Sequence, residues 1–201
     1  PEILLLDEPF SSLDVGLRAE MRAEVRQIID ATGVTAISVT HDQTEALSIS
    51  DRVAVMEDGA LEQVGRPEEV FQHPNSRFVA RFLGPAGFLT GTVEDDVRTA
   101  IGPIGHEQLG GIEAVEVGDT IDVLIRPDDV SVRPASDENA DGKIRHRQYN
   151  GHSFVYRVEL DDGDEIRSLQ EHVDRYSVGE QVRVTLDVEH ELAWFPVESA
   201  P

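Results

Sequence analysis

Four consecutive aliphatic residues, Ile3 to Leu6, run directly into two adjacent carboxylates, Asp7 and Glu8, and then into Pro9. An apolar run without polar alternation reads as a parallel strand buried on both faces. Such strands present their functional groups at the carboxyl edge of the sheet. A second apolar run, Val34 to Val39, ends in Thr40-His41-Asp42. Two strands ending side by side, one in Asp-Glu and one in His, would gather acids and an imidazole at one sheet edge.

The segments around these strands have clear punctuation. Leu17, Met21, Val25 and Ile28 recur at helical spacing, and Gly33 stops the helix. Asp42 stands at an N-cap position with Glu45 three residues on, the pattern of a capping box. Arg52–Glu57 and Ala60–Gly65 flank Asp58-Gly59, a hairpin signal. Pro67 followed by Glu68 and Glu69 opens a short helix that Pro74 halts. Ser76 caps another, with Phe78, Val79, Phe82 and Leu83 on one side and Gly84-Pro85 ending it.

From Gly87 the helical periodicity disappears, and short alternating runs separated by Gly and Asp predict a small all-β domain. Val117-Gly118-Asp119-Thr120-Ile121-Asp122-Val123-Leu124-Ile125 resembles Val178-Gly179-Glu180-Gln181-Val182-Arg183-Val184-Thr185-Leu186 at an offset of 61. A barrel assembled from two similar halves accounts for this repeat, because closure removes exposed strand edges. Asp137 to Gly142 reads as an acidic loop between the halves.

Composition restricts the partners. Acidic residues number 40 against 17 basic, a formal charge of −23, and Lys143 is the sole lysine. Such a surface repels nucleic acid and anionic lipid. With 39% apolar residues in periodic patterns, the acidity points away from disorder and toward adaptation to a salt-rich cytoplasm, where screening weakens self-repulsion. Without cysteine, neither disulfides nor thiolate metal sites are available. No apolar run reaches the roughly 20 residues that span a bilayer, so the expected setting is cytoplasmic, without direct membrane insertion.

The Asp7-Glu8 strand end, Ser11-Ser12-Leu13-Asp14 and the Thr40-His41-Asp42-Gln43-Thr44-Glu45-Ala46 run together resemble the nucleotide-binding subunits of ABC transporters. In that resemblance they are the Walker B segment, the D-loop and the switch-histidine loop. Ile125-Arg126-Pro127-Asp128-Asp129-Val130 and the repeat resemble the transport-associated OB-like domain of importer ATPases for maltose, iron, polyamines and sulfate. Gly142 to Val158, with Tyr149-Asn150-Gly151-His152, looks closest to the iron(III) and polyamine branch. The implied fold is α/β, the C-terminal part of a P-loop ATPase core over 1–86, followed by an all-β OB-like barrel over 87–201.

The resemblance implies ATP and Mg²⁺ as cofactors. It makes Asp7 the metal and nucleotide partner, Glu8 the general base, and His41 the contact to the γ-phosphate. Asp14 would touch the opposite protomer; its plainer role is helix N-cap. The implied partners are a second copy of the subunit and membrane permease subunits, which would hold the protein peripherally on the inner face of the membrane. The Gly-x-x-x-x-Gly-Lys-Ser/Thr loop and the Ser-Gly-Gly-Gln signature of the family are missing. The expectation is therefore a C-terminal portion of a longer subunit, inactive toward ATP by itself. An alternative gives the β domain the role of a regulatory module for an oxyanion such as molybdate. An ATPase of DNA repair or translation fits the charge poorly. The other histidines lack metal-ligand spacing, and Arg145-His146-Arg147 reads as a solvated strand face.

Overall fold

The computed structural model describes residues 3–197 and divides the chain into two units, Pro1–Gly84 and Pro85–Pro201. The described residues form fourteen strands and four α-helices, so the chain is mostly β.

In the first unit, β1 (Ile3–Asp7) pairs in parallel with β2 (Thr35–Val39), in a register that sets Asp7 against Val39. Between them runs α1 (Val15–Thr32). Asp14 caps its start by accepting from Leu17 N–H at 3.0 Å, and Gly33 closes its end in the left-handed conformation. Next come α2 (Gln43–Ile49) and the hairpin of β3 (Val53–Glu57) and β4 (Ala60–Gly65), followed by α3 (Pro67–Gln72) and α4 (Arg77–Leu83). The hairpin turn has positive φ at both Asp58 and Gly59, the geometry that matches strand twist. Val53, Val55, Val70, Val79 and Leu83 make this unit's core, with Phe78 and Phe82 stacked beside it.

One expectation fails in this unit. The β1–β2 pair is not buried on both faces. Leu4, Leu6, Ala36 and Ser38 are half-buried, but Ile3 (54%), Leu5 (73%), Ile37 (53%) and Val39 (58%) are exposed. No layer among the described residues covers that face. Nor does α1 bury its apolar stripe: Leu17 and Ile28 are exposed, and Met21 and Val25 only half-buried.

The second unit consists of two five-stranded sheets around a shared core. One contains β5 (Gly87–Val93), β6 (Val97–Thr99), β7 (Gly102–Ile104), β8 (Thr120–Ile125) and β14 (Trp194–Pro196). The other contains β9 (Val130–Pro134), β10 (Gly142–Tyr149), β11 (Ser153–Leu160), β12 (Glu165–Glu171) and β13 (Gln181–Leu186). Their orders, β14-β8-β5-β6-β7 and β9-β13-β10-β11-β12, are the same pattern. The sequence repeat supplies the equivalent strands β8 and β13, each entered through a left-handed glycine, Gly118 or Gly179. The strand that follows each repeat crosses over: β9 follows β8 but pairs with β13, and β14 follows β13 but pairs with β8. The outer strands of the second sheet are tied where Ser168 Oγ and Gln170 Nε2 both donate to the Val130 carbonyl, at 2.6 and 3.1 Å.

The acidic stretch after Ser136 is a turn, but Gly142 already belongs to β10. A Cβ at that position would run into the Glu159 carbonyl oxygen of the neighbouring strand. Gly142→Ala is expected to destabilise the chain by about 1–3 kcal/mol, as overpacking against backbone does. Thermal or urea unfolding followed by circular dichroism measures it.

Candidate functional site

Parallel pairing of β1 with β2 delivers Glu8 and His41 to one corner. Glu8 N–H donates to the Val39 carbonyl at 2.8 Å, so the chain leaves β1 still tied to β2. The Glu8 carboxylate then accepts His41 N–H at 3.0 Å, and the same oxygen lies 3.6 Å from His41 Nε2. The imidazole itself is 92% exposed, whereas the Glu8 side chain is 32% exposed.

Glu8 sits at φ 46°, a left-handed conformation uncommon for a residue with a side chain, and doubly so before proline. Strain of this sort costs on the order of 1–3 kcal/mol and persists where surrounding contacts over-determine it. Here they do. Ser11 N–H (3.2 Å) and Ser11 Oγ (2.9 Å) both donate to the Glu8 carbonyl, and Phe10, 3% exposed, anchors the turn. The turn therefore aims Glu8 away from the direction that an extended strand would give it, back across the β2 edge.

The other candidate residues have different settings. Asp7 ends β1, exposed, opposite Val39. The Asp14 carboxylate is engaged as the α1 N-cap, so its plainer role is the one its contacts show. The structure thus joins Glu8 to His41 and leaves Asp7 and Asp14 outside that contact. Among the described residues no group of three or more His, Asp or Glu could hold a metal ion. A single exposed carboxylate such as Asp7 fits Mg²⁺ that arrives with phosphates, since that ion takes one or two protein carboxylates and keeps several waters.

Behind His41, Asp42 caps α2 through Oδ1, which accepts Glu45 N–H at 3.1 Å. The reciprocal half of the expected capping box is absent. Glu45, 2% exposed, turns instead toward β2, where Thr40 Oγ1 (3.0 Å) and Ser38 Oγ (3.3 Å) donate to it. Thr40 Oγ1 in turn accepts Asp42 N–H at 3.0 Å. Hydroxyl donors in the interior satisfy a buried carboxylate better than a strained return to the cap would.

An arginine stripe along α1, not anticipated from the sequence, faces this corner. Arg18 Nη1 donates to Asp42 Oδ2 at 3.3 Å, and Arg22 Nη1 is 3.8 Å from the same oxygen. Arg26 reaches the far end of α2, donating to the Ile49 carbonyl and to Asp51, both at 2.8 Å. The spacing of four was the available signal, but arginines at that spacing ordinarily read as a solvated helix face.

In the second unit, Arg126 and Asp129, at the two ends of a short turn, are buried, each 5% exposed. Arg126 N–H donates to Asp129 Oδ2 at 2.7 Å and Arg126 Nη1 to the Pro85 carbonyl at 3.1 Å, while His190 Nε2 lies 3.4 Å from Asp129 Oδ1. Burial pushes the Asp129 carboxyl up, and the Arg126 N–H bond partly opposes it. Burial likewise lowers the Arg126 guanidinium. This arrangement is a buried polar cluster. The Arg145-His146-Arg147 stretch is exposed, as expected of a strand face, with Arg145 paired to Glu159 and Arg147 lying over the Phe154 ring.

Residues 123–194 match the TOBE domain family. Together with the relatives that follow, this makes the chain similar to the C-terminal region of ABC importer ATP-binding subunits. The spermidine/putrescine import ATP-binding protein PotA of Marinobacter nauticus is 38% identical over 197 residues, covering 92% of this chain and 52% of the relative. PotA of Pseudomonas fluorescens is 39% identical, covering 89% and 50%, and PotA of Photobacterium profundum is 42% identical, covering 81% and 46%. The chain spans about half the length of the curated relatives it matches. The cytoplasmic molybdate-binding protein ModG, in a form with molybdate bound, has 13% identity and a TM-score of 0.41, covering 53% of this chain and 93% of that one. Among the described residues no helix is long and apolar enough to cross a membrane.

Asp42 also makes the corner sensitive to acid. The Glu45 N–H bond above all, then the Arg18 bond and the charges of Arg22 and Arg18, hold its carboxyl below the ordinary aspartate range against partial burial. A lowered folded-state value means the charge stabilises fully above the unfolded value of about 3.9 and is lost as pH falls through the lower folded value. Asn caps helices as well as Asp does, so Asp42→Asn isolates the charge. Wild type is expected to be more stable than Asp42→Asn near neutral pH, with the gap closing under acid. Denaturant melts at a series of pH values measure it.

Proposed function

We propose that this chain is the C-terminal part of an ATP-hydrolysing subunit that energises an ABC importer, with polyamines as the transported class. The observation that carries the proposal is the Glu8–His41 contact at the ends of two parallel strands. The relatives, spermidine/putrescine import ATP-binding proteins, support both the transport role and the substrate class. They do not favour the alternative of an oxyanion module.

In this reading residues 1–86 belong to a P-loop ATPase core and residues 87–201 to its OB-like TOBE domain. The Ile3–Asp7 strand is the Walker B segment, and Glu8 is the general base. Its strained turn and its bond from His41 N–H hold a carboxylate at the edge where water must be deprotonated as it attacks phosphorus. His41, exposed beside it, donates toward the γ-phosphate and keeps the base in register. Asp7 holds Mg²⁺, which when bound neutralises phosphate charge. Asp14, at the start of α1, touches the second copy of the subunit beside the nucleotide held between the two. The phosphate-cradling loop is not in this sequence.

The exposed Ile3, Leu5, Ile37 and Val39 are the face on which a further layer of the longer protein packs, since parallel strands are ordinarily covered on both sides. The intact subunit works as a homodimer docked on permease subunits at the inner face of the membrane. ATP drives the permease because it binds the closed dimer better than the open one. A charge of −23 supports life in a salt-rich cytoplasm.

In the intact subunit, Glu8→Gln is expected to keep ATP binding while lowering hydrolysis by about 10²–10⁴-fold, the range for loss of a general base. His41→Ala should block turnover similarly. Phosphate release with Mg²⁺ and ATP measures both; hydrolysis near the native rate in Glu8→Gln removes the base assignment. The 201-residue chain alone is expected to release no phosphate in the same assay.

A further inference from the structure

The contacts around the candidate site form a ring. From Glu8 the turn runs through Phe10 to Leu13, whose N–H donates to the Phe10 carbonyl at 3.1 Å. The Leu13 carbonyl accepts Arg18 Nη2 at 3.0 Å. The other arm of the same guanidinium, Nη1, reaches Asp42 Oδ2 at 3.3 Å. Asp42 adjoins His41, and His41 N–H returns to the Glu8 carboxylate at 3.0 Å. One side chain therefore closes a circuit between the turn that aims Glu8 and the corner that carries His41.

We infer that Arg18 is a positioning residue for ATP hydrolysis, bracing the turn after Glu8 against the His41–Asp42 corner. This rests on the functional reading above. The chemistry suits the task. A guanidinium is a planar fork whose two terminal nitrogens keep a fixed angle, so two acceptors bound to it are held at a fixed separation. Leu13 O and Asp42 Oδ2 belong to segments that follow different strands, β1 and β2. Their separation sets how far the Glu8 turn stands from His41. Neither Asp14, engaged with the first turn of α1, nor Glu45, engaged with Ser38 and Thr40, makes this link. Arg22 supplies the control, because it faces the same Asp42 oxygen at 3.8 Å while the Leu13 carbonyl is held by Arg18. Charge compensation of Asp42 is shared by both arginines; the brace is Arg18 alone.

The test is steady-state ATP hydrolysis by the intact subunit in wild type, Glu8→Gln, Arg18→Met, Arg18→Lys and Arg22→Met. Misplacement of reacting groups by about 1 Å costs up to about 10²-fold in rate, so Arg18→Met should lower kcat about ten- to hundredfold. Its KM for ATP should stay within about twofold, because the lost interaction acts in the transition state. Lysine keeps the charge but not the fork and should restore only part of kcat. Arg22→Met should hold kcat within about twofold of wild type. An unimpaired Arg18→Met, full recovery by Arg18→Lys, or an equal loss in Arg22→Met overturns the inference. Should Arg18→Met fail to fold, the lysine variant decides by the same criterion. If wild type hydrolyses ATP and Glu8→Gln does not, any of these failures falls on Arg18 alone. A wild type without hydrolysis, or an active Glu8→Gln, removes the functional reading beneath it.

Discussion

The parallel register of β1 with β2 is the constraint on which the rest of the first unit depends. It sets Asp7 against Val39, so both chains leave the sheet at the same level and their next residues meet. The Glu8 N–H bond to the Val39 carbonyl extends this pairing by one step, into a residue forced to positive φ. A slip of one residue would turn every side chain to the opposite face. Glu8 and His41 could then no longer share an oxygen-to-nitrogen contact. Helix α1 is tied alongside, through Arg18 to the Leu13 carbonyl and Asp42 and through Arg26 to the Ile49 carbonyl and Asp51.

Electrostatics within the unit follows the same economy. Asp42 serves two purposes with two oxygens, one for the helix start and one for the arginines. Glu45 is buried, yet the hydroxyls of Ser38 in β2 and of Thr40 just beyond it donate to it, so its desolvation is compensated locally.

Local signals were legible in the sequence because local chemistry dictates them. The caps at Asp14, Asp42 and Ser76, the turn at Asp58-Gly59 and the proline-opened helix at Pro67 all form where their residue types require. The meeting of Glu8 with His41 was legible too, because two apolar runs ending in such residues have few other ways to pair. Burial was not. An apolar run reveals an appetite for cover, not whether cover is present, and Ile3, Leu5, Ile37 and Val39 remain exposed. Arg18 was missed since charges at helical spacing usually serve only solubility, and its partners lie 5 and 24 positions away. Glu45 was read as a cap because nothing in a linear pattern announces the hydroxyls it finds across the corner.

In the second unit the internal repeat announced two similar halves, and the shared strand order bears that out. The repeat did not announce the exchange of β9 and β14 between sheets, which depends on pairing over long separations. That exchange has a thermodynamic consequence. Each half lends its closing strand to the other, so neither can keep a complete sheet while its neighbour is unravelled. Loss of order in one half therefore propagates to the other, so that the two similar halves unfold as one cooperative event.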